Sequence, residues 1–244
     1  MMSTINSTPP QPYFAPSPSA DEGTQSERAG RSKRGIAESS KRWPDGVLTV
    51  AIDIDDIWSR AVVTSAIREW EKHTPALKFN IVSGKQGDIR ISGDEQTKGD
   101  WSVIGTDAKL VPKDQPTLHL KRQDDLTLAH NIALHEFGHA LGLEHEHQHP
   151  DRTIKFDEKS LYESFRNAGV ADDDIENHIV WQWPAENRLV TDYDEHSIMH
   201  YEFDADTTED KKEYPPKTEL SEGDKKIIRQ LYTPKKFKEA DTSR

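Results

Sequence analysis

The sequence contains a run whose residue types and spacing suit a catalytic metal ion, HEFGHALGLEH, from His135 to His145. If the run begins in a helix, His135 and His139 lie one turn apart and project from the same face. Two imidazoles at that spacing can bind one zinc ion, and Glu136 stands beside the ion as a general base rather than as a ligand. Gly142 is the residue type that ends a helix in a left-handed turn, after which His145 can supply a third imidazole.

Three imidazole ligands leave the fourth tetrahedral position to water, which is the arrangement of a catalytic zinc and not of a structural one. We therefore predict one Zn²⁺ per chain, held by His135, His139 and His145, with water as the nucleophile. His147 and His149 follow within four residues of His145 and are the alternative third ligands. The register after the glycine favours His145.

A second pattern lies some fifty residues downstream, where a methionine sits in the tight polar segment Ser197-Ile198-Met199-His200-Tyr201. A methionine turn beneath the zinc is, together with the extended histidine motif, characteristic of the metzincin class. Together the two motifs resemble the astacin family of zinc metalloendopeptidases.

The resemblance to astacins extends beyond the two motifs and covers about residues 43–233. Residues 144–152, EHEHQHPDR, are similar to the continuation of the zinc motif in the family, and residues 192–201 are similar to its methionine turn. Residues 42–47 resemble the start of a mature astacin domain, and residues 220–232 resemble its last helix. The chain departs from the family in having no cysteine, whereas typical astacins carry two disulfides, and in having His149 at the place of an arginine.

The family resemblance implies an active endopeptidase that acts on protein or peptide substrates. It implies that Tyr201 binds the zinc at rest and then swings away to stabilise the oxyanion. It also implies that Glu146 pairs with the ammonium of a mature N-terminus. The alternative partner of Glu146 in this chain is an arginine such as Arg152. The alternative function is a zinc-holding scaffold that binds peptides without hydrolysing them. That alternative would fit loss of the base, but Glu136 is present.

The elements that must position these residues follow from apolar periodicity. We predict strands at 47–52, 77–82 and 88–92, and a helix from Asp55 or Asp56 to about residue 73. The zinc helix spans 126–143, and a last helix at 222–232 is capped by Ser221. The apolar faces of the three helices predict the core positions Val63, Ala66, Ile67, Trp70, Leu134, Phe137, Leu141, Ile227, Ile228 and Leu231.

Two further extended segments are predicted, at residues 101–105 and 116–121. The second alternates apolar and polar side chains, which is typical of a half-exposed edge strand to which a peptide substrate could add. The predicted fold is an α+β domain of the zincin and metzincin type. A twisted mixed sheet, a backing helix and the zinc helix form its upper half. An irregular lower half holds the methionine turn and the C-terminal helix.

Composition bounds the domain organisation and the partners. Apolar residues are 33% and charged residues 31% of the 244 residues, which indicates that part of the chain is unfolded. We predict a disordered segment at 1–42, one catalytic domain at 43–235 and a flexible tail at 236–244. The alternative for the N-terminal segment is an inhibitory pro-segment, but no Phe-x-Gly-Asp stretch of the family occurs there.

The net charge disfavours two classes of partner. Residues 1–42 carry six basic and four acidic side chains, net +2, so the total of −12 leaves −14 on residues 43–244. An acidic domain argues against nucleic acid and anionic membranes as partners. We expect a monomer. The N-terminal sequence lacks the pattern of a secretory signal, so we expect a cytoplasmic protein or one exported by another route, whereas the family resemblance favours secretion.

Overall fold

The computed structural model describes residues 35–235, so the predictions for residues 1–34 and 236–244 lie outside the described residues. Its helices and strands in chain order are β1 (Gly35–Glu38), β2 (Gly46–Asp53), α1 (Ile57–Glu71), β3 (Leu77–Ser83), β4 (Ile89–Ser92), β5 (Trp101–Ser102), β6 (Leu118–His119), α2 (Leu126–Ala140), α3 (Glu158–Asn167), α4 (Asp172–Ile175), β7 (Arg188–Thr191) and α5 (Glu222–Leu231). A π-helical turn at Glu176–Val180 continues α4.

The upper half is built on a sheet with the strand order β3-β2-β4-β6-β5. β2 pairs in parallel with β3 and β4, β4 pairs in parallel with β6, and β5 runs antiparallel to β6. Parallel neighbours need a crossover connection, and α1 provides the one between β2 and β3. Four apolar side chains of β2 are buried, those of Leu48, Val50, Ala51 and Ile52, whereas Val47 near its start is exposed.

Helix α2, which carries His135 and His139, packs against α1 and β3. The indole N–H of Trp70 on α1 donates to the carbonyl oxygen of Leu134 over 2.9 Å. The rings of Phe79 and Phe137 meet edge to face with centroids 5.3 Å apart. All of the core positions predicted on the three helices are buried, which confirms the apolar periodicity.

The C-terminal end of α2 is closed by side chains from both ends of the described chain. The indole N–H of Trp43 donates to the carbonyl oxygen of Ala140, and the hydroxyl of Tyr232 donates to that of Leu141, each over 2.8 Å. The last carbonyl groups of a helix have no partner within the helix. These two donors satisfy two such groups, those of Ala140 and Leu141, and hold the end of α2 in place.

The edge of the sheet is not where the alternating pattern predicts it, at residues 116–121. Leu118 and His119 form β6 and are both buried, because β5 pairs with β6 on the side away from β4. The ring nitrogens of His119 lie 2.7 and 2.9 Å from the carbonyl oxygens of Gly99 and Asp94. His119, a polar residue of the alternating pattern, is therefore buried, and β5 forms the edge of the sheet.

The domain begins earlier than predicted, because residues 35–42 are structured. β1 pairs antiparallel with β7. Ile36 and Ala37 are 2% and 0% exposed, and Ala37 forms a β-bridge with Leu143. The prediction of disorder through residue 42 is therefore wrong from residue 35 onward. The average composition of residues 1–42 is polar. It therefore does not reveal a strand of four residues whose partners are distant in sequence.

Two truncations are expected to differ in stability. Removal of residues 1–34 should leave the melting temperature unchanged, because that segment contains too little apolar surface to belong to a core. Removal of residues 1–40 also deletes β1 with its buried Ile36, which should cost about 3 kcal/mol and lower Tm by roughly 10 °C. Calorimetry of both truncated proteins measures the difference. Equal melting temperatures would contradict a structural role of β1.

The lower half is stabilised by a second, smaller cluster of buried side chains: Ile154, Phe156, Leu161, Val170, Ile175, Ile179, Phe203 and Tyr214. α3 contributes one apolar stripe to this cluster, with Leu161 buried and Tyr162 and Phe165 packed beside it. None of the helices within residues 35–235 has the length and apolar character needed to span a bilayer.

Candidate metal centre

Helix α2 places His135 and His139 one turn apart, with their ring centroids 4.8 Å from each other. Their Nδ1 atoms lie 2.8 Å from the carbonyl oxygens of Ile198 and Leu143, respectively. A carbonyl oxygen can only accept a hydrogen bond, so in each neutral ring Nδ1 carries the proton and Nε2 keeps its lone pair. The two imidazoles thus have the tautomer that a metal bound at Nε2 requires.

The turn after α2 brings His145 back to this pair. Gly142 has a φ of +98°, the left-handed conformation expected there. The N–H of Glu144 then donates to the carbonyl oxygen of Ile36 in β1 over 3.1 Å, which fixes the path of the loop. As a result, Nε2 of His145 lies 3.0 Å from Nε2 of His139.

The three imidazoles fit a zinc ion. Their donor atoms all lie within 4.8 Å of one another, and within residues 35–235 they form the one cluster of this kind. Burial lowers the pKa of all three, that of His139 to about 3, so the rings are neutral at ordinary pH. Two nitrogen ligands of a tetrahedral zinc stand about 3.3 Å apart when each Zn–N bond is about 2.0–2.1 Å. The 3.0 Å between Nε2 of His139 and Nε2 of His145 is close to that spacing.

His147 and His149, the alternative third ligands, have other partners. Nε2 of His147 lies 2.8 Å from the carbonyl oxygen of His178. Nε2 of His149 lies 2.5 Å from the carbonyl oxygen of Thr191, and its Nδ1 accepts the N–H of Asp151 over 2.9 Å. Neither ring belongs to the cluster formed by the other three.

Glu136, the predicted base, follows His135 on α2 and is 8% exposed. Burial raises the pKa of its carboxyl well above the usual range, and the negative charge of Asp100 raises it further. A cation held by the imidazoles would act in the opposite direction, because a nearby positive charge favours the carboxylate. Asp100 precedes β5 and accepts the N–H of Lys121 over 2.6 Å. No local sequence pattern marks this aspartate, and only the sheet topology brings it near the site.

Tyr201 lies against the histidine cluster. Its ring centroid is 4.4 Å from that of His145, and it stacks on His147 at 4.3 Å. Burial raises the pKa of the Tyr201 phenol, and the charge of Glu136 raises it further. The phenol is therefore protonated and can donate a hydrogen bond at the site.

The methionine turn packs directly beneath α2. Met199 is 2% exposed, and a Cβ atom at Gly138 would lie 2.5 Å from its Sδ, so only glycine at that position leaves room for the sulfur. Asp224 of α5 holds the turn by accepting the hydroxyl of Ser197 over 2.6 Å and the N–H of Ile198 over 2.8 Å. The sequence signal for Asp224 is its position three residues after a capping serine, which by itself predicts a helix cap and no contact with the turn.

Glu146 does not pair with Arg152, as the sequence suggested it could. Its carboxylate is buried and accepts the N–H of Asp194 over 2.7 Å, and its own N–H donates to the carbonyl oxygen of Met199. The guanidinium of Arg152 donates instead to main-chain oxygens, those of His147, Ile179 and Val180. Glu146 thus joins the loop of His145 to the methionine turn. Its pairing with an N-terminal ammonium lies outside the described residues.

Comparison with known families and proteins agrees with this geometry. The family model of the astacin peptidases matches residues 35–233. Protein SpAN of Strongylocentrotus purpuratus is 26% identical over 191 residues, which are 74% of this chain and 28% of that protein. Bone morphogenetic protein 1 of Xenopus laevis is 31% identical over 161 residues, which are 65% of this chain and 20% of that protein. The chain therefore spans less than a third of the length of these relatives.

Solved structures show the same architecture. The structure of myroilysin matches with a TM-score of 0.77 and 28% identity, over 82% of this chain and 100% of that one. High choriolytic enzyme 1, a hatching enzyme zinc-protease from Oryzias latipes, matches in fold with a TM-score of 0.57 at 21% identity, over 81% and 96% of the two chains. The predicted metzincin-like α+β fold is confirmed. With a family model matched over residues 35–233, the chain belongs to the astacin family of peptidases.

Proposed function

We propose that the chain is a zinc-dependent endopeptidase that hydrolyses internal bonds of proteins or peptides. The observation that carries the proposal is the convergence of three neutral imidazoles, whose donor atoms lie within 4.8 Å of one another. Two of them lie on α2, which also carries the buried carboxyl of Glu136, and the third lies after the turn that follows α2. Membership of the astacin family supports it. So does a relative from Steinernema carpocapsae that is 26% identical over 182 residues and is named Zinc metalloproteinase nas-8.

In the proposed reaction the three histidines hold the metal, and Glu136 transfers the proton. His135, His139 and His145 would hold zinc, which when bound supplies a Lewis acid that lowers the pKa of water and polarises a carbonyl group. The carboxylate of Glu136 accepts the proton of the attacking water and passes it to the leaving amine. Its burial suits this task, because a raised pKa lets a carboxyl both accept and release a proton near neutral pH.

The substrate would lie along the margin of the sheet formed by β5 and the two residues that follow it, 103 and 104. A peptide added there as a further strand would be aligned by main-chain hydrogen bonds, largely without regard to its side chains. β5 is the last strand in the order of the sheet, and it packs close to the zinc helix. This location replaces the edge strand predicted at residues 116–121.

A library of peptides with both ends blocked tests the proposed activity. Mass spectrometry of the products should show cleavage at internal bonds, lost on chelation and restored by added zinc. Release of terminal residues alone from an unblocked library, with no internal cleavage, would contradict an endopeptidase.

Replacement of Tyr201 by phenylalanine is expected to lower kcat about a hundredfold while zinc content and melting temperature stay unchanged. The phenol is protonated and lies beside His145, where it can donate to the oxyanion that forms on the substrate carbonyl. One such donor contributes roughly 3 kcal/mol to the transition state. Steady-state hydrolysis of a quenched peptide measures the loss. A rate within about threefold of the wild type would contradict this role.

A further inference from the structure

His200, between Met199 and Tyr201 on the methionine turn, is buried and hydrogen-bonded through both ring nitrogens. It is 5% exposed. Its Nδ1 lies 2.6 Å from the carbonyl oxygen of Tyr201, and its Nε2 lies 2.7 Å from the hydroxyl of Tyr193. Its ring stacks on Tyr214 with centroids 5.3 Å apart and an angle of 12° between the planes. The orientation of this imidazole is therefore fixed on three sides.

These contacts give the hydrogen bonds a direction. The carbonyl oxygen of Tyr201 can only accept, so Nδ1 of His200 carries the proton. The ring is buried, which favours the neutral form, and a neutral imidazole has a single N–H. Nε2 is then an acceptor, and the hydroxyl of Tyr193 must donate to it. The hydrogen bonds thus form a series from the Tyr193 hydroxyl through the His200 ring to the main-chain carbonyl oxygen of Tyr201.

The main chain at Tyr201 determines where its phenol lies. The ring stands between two imidazoles, edge-on to His145 at 4.4 Å and stacked on His147 at 4.3 Å. His147 is itself anchored, because its Nε2 lies 2.8 Å from the carbonyl oxygen of His178. A shift of the Tyr201 carbonyl group would move the Cα and Cβ atoms of Tyr201, while stacking on His147 holds its ring. The phenol oxygen would then be displaced.

We propose that Tyr193 is a positioning residue for peptide hydrolysis: its hydroxyl fixes His200, which fixes the main chain of Tyr201 and so the place of the phenol. The inference rests on the proposed function, because it assigns Tyr193 a part in the same reaction. Tyr193 acts through His200 and need not contact the substrate. Loss of its hydroxyl releases one of the contacts that orient the imidazole and leaves Nε2 without its donor.

Kinetics of Tyr193→Phe in two backgrounds test the proposal. In the wild-type background kcat should fall roughly fivefold, the worth of one hydrogen bond, with KM unchanged because the phenol acts in the transition state. In the Tyr201→Phe background the same substitution should change kcat by less than about twofold, since coupled residues are not additive. A merely structural role would give the same factor in both. Equal factors, or a wild-type rate for Tyr193→Phe, would overturn the proposal.

Tyr162→Phe is the matched control. It removes a hydroxyl that donates to the side chain of Glu176 over 2.6 Å, a hydrogen bond that is not part of the chain from Tyr193 through His200 to Tyr201. This variant should keep the wild-type kcat in both backgrounds. A fivefold loss in the control would show that any tyrosine hydroxyl of the lower half has the same effect, and would overturn the specific role of Tyr193.

Nitrogen NMR of the metal-free protein tests the hydrogen-bond chain without any activity. His200 should show the Nδ1–H tautomer in the wild type and in Tyr162→Phe, and a changed Nε2 shift in Tyr193→Phe. An Nε2–H form in the wild type would overturn the inference. An inactive wild type whose His200 has the Nδ1–H form would instead overturn the proposed function, with the hydrogen-bond chain intact, so the two failures are distinguishable.

Discussion

Replacement of His145 by alanine is expected to lower the affinity for zinc by at least about a hundredfold, because loss of a mere hydrogen-bond partner of a zinc ligand already costs 10–100-fold. The substitution removes the imidazole whose Nε2 lies 3.0 Å from that of His139 and leaves two ligands on α2. Elemental analysis after dialysis should find about one zinc per wild-type chain and almost none in the variant. Competition with a chromophoric chelator gives the ratio of affinities.

The control for this loss is a histidine of the same region that stands outside the cluster. His196 precedes the methionine turn, and its side chain is 76% exposed, so His196→Ala should retain full zinc content. His149→Ala should also retain the metal, because both ring nitrogens of His149 contact the main chain. If His147→Ala or His149→Ala lost the zinc while His145→Ala kept it, the assignment of the third ligand would be wrong.

Glu136→Gln is expected to lower kcat/KM for peptide hydrolysis by a factor on the order of a thousand or more, the upper part of the range for loss of a general base. Glutamine has the shape of glutamate and fits the same buried space, but its amide cannot accept the proton of water and return it to the amine. Zinc content and the affinity for peptide should persist. Turnover of a quenched peptide by wild type and variant, each with zinc content measured, gives the factor.

Glu158→Gln is the matched control for this substitution. Glu158 is exposed in the first turn of α3, and the same change of charge there should leave kcat/KM unchanged. Retention of peptide affinity by Glu136→Gln would show that the loss is in the chemical step. A variant that hydrolyses peptide within about threefold of the wild-type rate would show that Glu136 is not the base.

The sequence predicts those parts of the fold that local rules determine. Helix α1 begins after Asp56, whose side chain accepts the N–H of Ser59, and its apolar face is the buried one. The turn at Gly142 was predictable because a left-handed C-terminal turn strongly favours glycine. The convergence of His135, His139 and His145 follows from helix periodicity and that turn. The local pattern therefore predicted which imidazoles meet, although their roles as ligands stay a proposal.

The parts that the sequence did not predict depend on partners far along the chain. β1 is four residues long, and its partners are distant in sequence: β7, about 150 residues later, pairs with it, and Leu143 forms a β-bridge with Ala37. β6 has the alternation of an edge strand, yet the two residues of β5 cover it. Likewise, no spacing rule places the hydroxyl of Tyr193 against His200 or the carboxylate of Asp224 against the methionine turn. Such contacts follow from the folded topology and not from any local pattern.

A titration of zinc into the metal-free protein, followed by hydrolysis of a quenched peptide, tests the central claim most directly. The account predicts that activity is absent without metal, rises in proportion to added zinc and stops rising at about one equivalent per chain. It also predicts that Glu136→Gln binds the same equivalent and stays inactive. Full activity of the metal-free protein would contradict the zinc-dependent mechanism. Equal residual rates in wild type and Glu136→Gln would contradict the enzymatic role of this site, and the protein would then be a peptide-binding scaffold.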